Sequence, residues 1–203
     1  MVLIGEGLQY KVYAEGDWVR KEPKSREEMI EMATNWYDSR AKAEENVDMA
    51  IERRSRSLER IQEKDLPSFI FGNIRIDDGT VYQDRLVPVH NKLESLSDLE
   101  EKKQIIDDYV DLLETLWSYG IGDTIYNFTL NNGYDDEGRM VQLDFGEVVF
   151  DKKKVLEAIE EKRWENKRSL NEDISRSLRK YAVDSMEEKL TKEKVEKLWR
   201  ENC

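Results

Sequence analysis

The chain of 203 residues contains one cysteine, one histidine and three prolines, and each scarcity excludes something. The cysteine, Cys203, is the last residue, so neither an internal disulfide nor a paired-thiol metal site can form, and a reducing cytoplasm is the expected setting. His90, the single histidine, has no titratable partner at motif spacing and reads as a surface loop residue. Only Pro23, Pro67 and Pro88 interrupt the pattern, and no Gly/Ser-rich spacer exists, so no flexible tether is expected. No apolar run approaches the ~18 residues of a membrane span, and the opening Met1-Val2-Leu3-Ile4-Gly5 lacks the basic and apolar regions of a signal peptide. Basic charge is also in deficit. With 33 Lys+Arg against 45 Asp+Glu the net charge is −12, which repels a nucleic-acid duplex, so neither nucleic acid nor membrane is an expected partner.

What remains is enough apolar sequence for a core, at 38% of residues, arranged by changing periodicity and without an internal repeat. Residues 2–22 read as three short strands, with Val12 and Tyr13 on one side and Trp18 and Val19 on the other side of Glu15-Gly16-Asp17. Residues 25–62 turn helical, as one broken helix or two. Ser25 is the N-cap, Glu28 its capping-box partner, and Met29, Met32, Ala33 and Trp36 follow at helical spacing. Residues 66–89 return to β character through Phe69-Ile70-Phe71, a hairpin at Asp78-Gly79, and the stretch from Val81 to Val89. Residues 96–119 form an amphipathic helix whose stripe includes Ile105, Tyr109, Leu112, Leu113, Leu116 and Trp117, ended by Gly120. A third β stretch spans residues 128–130, a turn at 135–138 and residues 140–143. From Asp151 onward the chain is charged and helical. Trp36, Trp117, Trp164 and Trp199 fall on helix stripes and read as packing residues, and Arg53-Arg54-Ser55-Arg56 reads as a solvated face. The order predicts a segregated α+β protein, with a small sheet-rich amino-terminal lobe over residues 1–89 and a helical lobe over residues 90–203.

Three features could carry chemistry. Gly5 and Gly7 place a bare backbone at a strand-to-strand turn, where N–H groups can approach a polyphosphate; no helix opens after them, and no Gly-Lys-Ser/Thr is present, so Rossmann and Walker A loops are excluded. Lys21 lies on the following strand, on the face of Val19; a turn centred near Gly16 sets it roughly opposite Tyr10 or Lys11. In Gln142-Leu143-Asp144-Phe145-Gly146-Glu147, a carboxylate stands at the end of an apolar strand, where it could hold a divalent cation against a nucleotide.

Together these residues resemble the protein-kinase-like superfamily, which includes the protein kinases and the small-molecule phosphotransferases, over roughly residues 4 to 150. Gly5, Gly7 and Val12 match Gly-x-Gly-x-x-Gly-x-Val with Tyr10 at the third glycine, Lys21 matches the strand lysine, and Asp144-Phe145-Gly146 matches Asp-Phe-Gly. The resemblance implies a two-lobed fold with a reduced helical lobe, ATP and Mg2+ as nucleotide and cofactor, and transfer of the γ-phosphate to a hydroxyl of a protein or small molecule. It makes Leu86-Val87-Pro88-Val89 the hinge, with Val87 and Val89 against adenine. The lysine's helix partner becomes Glu52 in preference to Glu59, although Arg56 four residues on offers Glu52 an ordinary surface pair.

The catalytic loop departs from the family. Asp123 stands in the place of the acceptor-hydroxyl base and Asn127 in that of the metal asparagine, yet they are four residues apart where the family has five, and no histidine precedes Asp123. Asn131 and Asn132 are alternatives to Asn127. A one-residue deletion shifts a carboxylate by ~3 Å, enough to break a proton-transfer contact, so a kinase-shaped binding protein without transfer is the competing expectation. The absence of Ala-Pro-Glu and the short stretch after Asp144 favour a small-molecule acceptor or an unusual protein target.

Overall fold

A computed structural model describes residues 1–200; residues 201–203, including Cys203, lie outside the described residues. The chain is mixed α and β. It opens with β1 (Val2–Glu6), β2 (Tyr10–Glu15) and β3 (Trp18–Pro23), and continues through α1 (Arg26–Ala33), α2 (Arg40–Glu63) and α3 (Ser68–Phe71) to β4 (Arg75–Asp77) and β5 (Thr80–Asp84). These strands make one antiparallel sheet in the order β1-β2-β3-β5-β4. The β4–β5 hairpin turns on Asp78 and Gly79, both at positive φ (44° and 75°), the geometry that a two-residue Asp-Gly turn provides.

The β2–β3 hairpin closes one step differently from the sequence expectation. Glu15 faces Trp18, so Lys21 faces Val12 and not Tyr10 or Lys11. Helix α1 starts with the expected capping box, Ser25 and Glu28 each bonding the other's backbone N–H. It ends at Ala33, before Trp36, which is 58% exposed and packs on no stripe.

Two expected strands are single helical turns. Phe69, Ile70 and Phe71 lie in α3, which follows Pro67 and is closed by Gly72 and Asn73, both in left-handed conformation (φ 59° and 49°). A run this short and apolar fits a buried strand or a helical turn equally well, and the flanking residues decide. The same ambiguity covers residues 128–130.

After the sheet come β6 (Val87–Pro88), α4 (Val89–Ser95), α5 (Leu99–Ser118), β7 (Gly122–Asp123), α6 (Phe128–Asn131), β8 (Asn132–Tyr134), β9 (Met140–Gln142) and β10 (Val148–Val149). Helices α7 (Lys152–Glu160), α8 (Arg168–Asn171), α9 (Arg176–Lys189) and α10 (Lys192–Leu198) follow. β6, β8 and β9 form a small antiparallel sheet, and β7 pairs with β10. Helix α5 buries the expected stripe, from Ile105 to Trp117, against α9 and α10, each such side chain contributing about 1.5–3 kcal/mol. The main apolar cluster runs from Tyr10 and Val81 through α5 to Val195 and crosses the 89/90 division read from the sequence. A second, smaller cluster joins α1 to α2 through Met29, Ile30, Ala33, Ala43 and Val47. Among the described residues no helix is long and apolar enough to cross a membrane.

Candidate functional site

A cleft of about 860 Å³ opens between the β1–β3 face, α2, the β5–β6 connection and the segment after β9. Gly5, Gly7, Val12 and Lys21 line it from the sheet, Val87 from β6, and Asp144 from the opposite wall. Nothing lies within 4 Å of the place where a Cβ on Gly7 would stand, so packing does not demand glycine there and the space beside the turn is open.

The β3 register carries Lys21 inward, and it is only 8% exposed. Its Nζ donates to the Leu143 carbonyl at 2.7 Å and sits 4.9 Å from the centre of the Phe145 ring. Burial pushes the ammonium down to about 8, against the opposing pull of the Asp144 carboxylate. A buried cation with a carbonyl and a ring for company, and no salt bridge among the described residues, is under-compensated.

Asp144 is fixed by its backbone. The N–H groups of Leu143 and Asp144 both donate to the Asn131 carbonyl, at 2.7 and 3.2 Å, and the Asp144 carbonyl accepts from Gln142 Nε2 at 2.8 Å. One carboxylate oxygen, Oδ1, accepts the Gly146 N–H at 2.8 Å. Phe145 is buried in the cleft wall beneath Lys21 and meets Tyr10 edge-on, ring centres 5.5 Å apart. Tyr10 thereby ties the β1–β2 hairpin to this segment. Gln9 completes the seam, its carboxamide lying against Gly146 at the place a Cβ would fill.

Four sequence-expected residues, Glu52, Val89, Asn127 and Asp123, are not part of the cleft lining. Glu52 points away from the cleft; its side chain is 70% exposed and paired with Arg56, because the α2 face turned to the cleft carries Asn46, Met49, Ala50 and Arg53. The lysine therefore has no helix glutamate. Val89 is the fully buried first residue of α4 and lies outside the cleft lining. Asn127 precedes α6 and does not line the cleft; its Oδ1 is buried without a partner among the described residues.

Asp123 is 1% exposed. Its Oδ1 accepts from the N–H groups of Ile125 and Tyr126 (2.7 and 3.0 Å) and its Oδ2 from the Tyr109 hydroxyl (2.9 Å). Burial raises its proton affinity, and those three bonds lower it. A carboxylate so engaged organises the 123–127 turn; it does not line the cleft, although its charge is felt by Asp144 and Glu147, which do.

The sequence reading missed several groups that the fold brings to the cleft. Glu147 lines it and accepts from Asn131 Nδ2 at 2.8 Å; burial, then the Asp144 charge, push its carboxyl up to about 7. Arg53 lines it as well, although its run reads as a solvated face. Neighbouring Arg54 is consumed by the protein, donating to the Gln9 carbonyl at 3.0 Å and stacking over Tyr10. His90, read as a loop residue, lies in α4 on the cleft wall with Nδ1 3.3 Å from the Thr129 carbonyl oxygen. Of these, Arg53 carried a usable signal: four residues after Met49 and three after Ala50, it neighbours both on the helix, whereas Glu52 neighbours Met49 alone.

Neither protein-family models nor curated proteins match this chain in comparison.

Proposed function

We propose that the chain is an ATP-dependent phosphotransferase with a two-lobed protein-kinase-like fold, the five-stranded sheet with α1 and α2 forming the small lobe and the helices after residue 89 a reduced large one. The observation that carries this reading is the meeting of Lys21 and Asp144, far apart in sequence, on the walls of one cleft beside a glycine turn. An under-compensated buried ammonium is stabilised by a polyanion. Val12, Val19 and Leu143, next to Val87, offer the apolar lining that suits a purine ring.

Among the described residues no three His, Cys, Asp or Glu side chains gather into a self-sufficient metal cage. Magnesium does not require one, since it is commonly bound by one or two carboxylates together with substrate phosphates, and Asp144 supplies such a carboxylate. The ion would neutralise charge on the phosphoryl group in transfer. Lys21 would hold the phosphates, and the bare backbone at Gly5 and Gly7 would let them approach. In-line transfer depends chiefly on positioning and charge neutralisation, so these groups suffice in kind. Asp123 enters as a positioning residue for the loop.

The enclosure of Asp123 favours a second reading, a nucleotide-binding protein that performs no transfer. Incubation with γ-labelled ATP, Mg2+ and hydroxyl acceptors separates the two. Label on an acceptor or on the protein, abolished in Asp144→Ala, supports the phosphotransferase; bound nucleotide with no label moved supports the second reading.

A further inference from the structure

Arg53 is the arginine of its run that the protein leaves to the cleft. Arg56 is paired with Glu52, and Arg54 is held by the Gln9 carbonyl and the Tyr10 ring, but Arg53 makes no salt bridge among the described residues. It stands on the α2 face with Asn46, Met49 and Ala50, where the family resemblance calls for a glutamate. Arg53, Asp144 and Glu147 line the same cleft, and the guanidinium charge is felt by the Glu147 carboxyl. Arg85, the other arginine of the lining, belongs to the β5–β6 connection next to Val87.

We propose that Arg53 is a second phosphate-binding cation, gripping the terminal phosphates of the nucleotide from the helix while Lys21 holds them from the sheet. The inference rests on the nucleotide reading above. Its physical basis is charge balance: a triphosphate entering beside Asp144 and Glu147 adds negative charge to a wall already carrying two carboxyl groups, and Lys21 alone is a single buried ammonium. A planar guanidinium offers several donors to phosphate oxygens at once, which a glutamate at the same place would oppose. Because Arg53 lies on an exposed helix face with no structural partner, it can be replaced without disturbing the core.

Titration calorimetry with Mg2+ and ATP, ADP or AMP on wild type, Arg53→Ala, Arg53→Lys and Glu52→Ala tests the assignment. The expected result is ATP binding weakened about 10- to 100-fold in Arg53→Ala, AMP binding unchanged, an intermediate loss in Arg53→Lys, and wild-type behaviour in Glu52→Ala. If wild type binds ATP but Arg53→Ala leaves it unaffected, or weakens ATP and AMP equally, the Arg53 assignment is overturned and the nucleotide reading stands. If wild type binds none of the three, both are overturned.

Discussion

Lys21 donates to the main-chain carbonyl of Leu143 at 2.7 Å, and so its ammonium sits one residue from Asp144 without forming a salt bridge to it. The contact joins the central strand of the sheet to the segment after β9. Because the carbonyl is neutral, the charge of Lys21 stays available to whatever enters the cleft.

That arrangement costs the free protein stability. The folded-state pKa of about 8 lies below the ordinary 10.5, so between these values the unfolded chain binds more protons, and stability attributable to Lys21 rises with pH across that window. Below pH 8 the full penalty, about 3 kcal/mol at most, is present. Lys21→Met is expected to be more stable than wild type at pH 7, with the difference shrinking toward pH 10. Urea denaturation of both proteins across that range checks it.

Two buried tyrosines should respond oppositely to loss of the hydroxyl. Tyr10 packs on Phe145, but its OH has no hydrogen-bond partner among the described residues, whereas the Tyr109 OH donates to the enclosed Asp123 at 2.9 Å. Tyr10→Phe is expected to be neutral or to stabilise by up to about 1 kcal/mol, while Tyr109→Phe costs about 1.5–3 kcal/mol. Thermal or urea unfolding of the two variants gives the comparison.

Asp123 accepts three hydrogen bonds inside the fold, and this predicts that its removal is first a structural injury. Asp123→Asn turns an N–H2 group toward at least one of those donors and is expected to lower stability by about 2 kcal/mol, while Mg·ATP binding survives in the folded fraction. A variant as stable as wild type but devoid of label transfer would instead make Asp123 the acceptor base.

Much of this architecture was legible in the sequence where local chemistry and tertiary packing agree. The capping box at Ser25 and Glu28, the Asp78-Gly79 hairpin and the apolar stripe of α5 are each specified by residues only a few positions apart, and all three are present. Single turns were not legible, since Phe69 to Phe71 and residues 128–130 are too short for periodicity to separate strand from helix. At the site, Lys21 and Asp144 are marked by motifs, but the phase of α2 about its axis is set by the packing of Ala43 and Val47 against α1, which turns Arg53 inward and Glu52 out. The enclosure of Asp123 in β7 depends on Tyr109, fourteen residues earlier on helix α5, a contact that loop spacing cannot reveal.

The most direct test is a double-mutant cycle for Mg·ATP binding on wild type, Lys21→Met, Asp144→Asn and the double variant. If an ammonium and a carboxylate act on one triphosphate, wild type binds, each single change weakens binding at least about tenfold, and the double change is much less damaging than the two losses combined. Absence of binding by wild type, or losses that simply combine, would contradict the shared site.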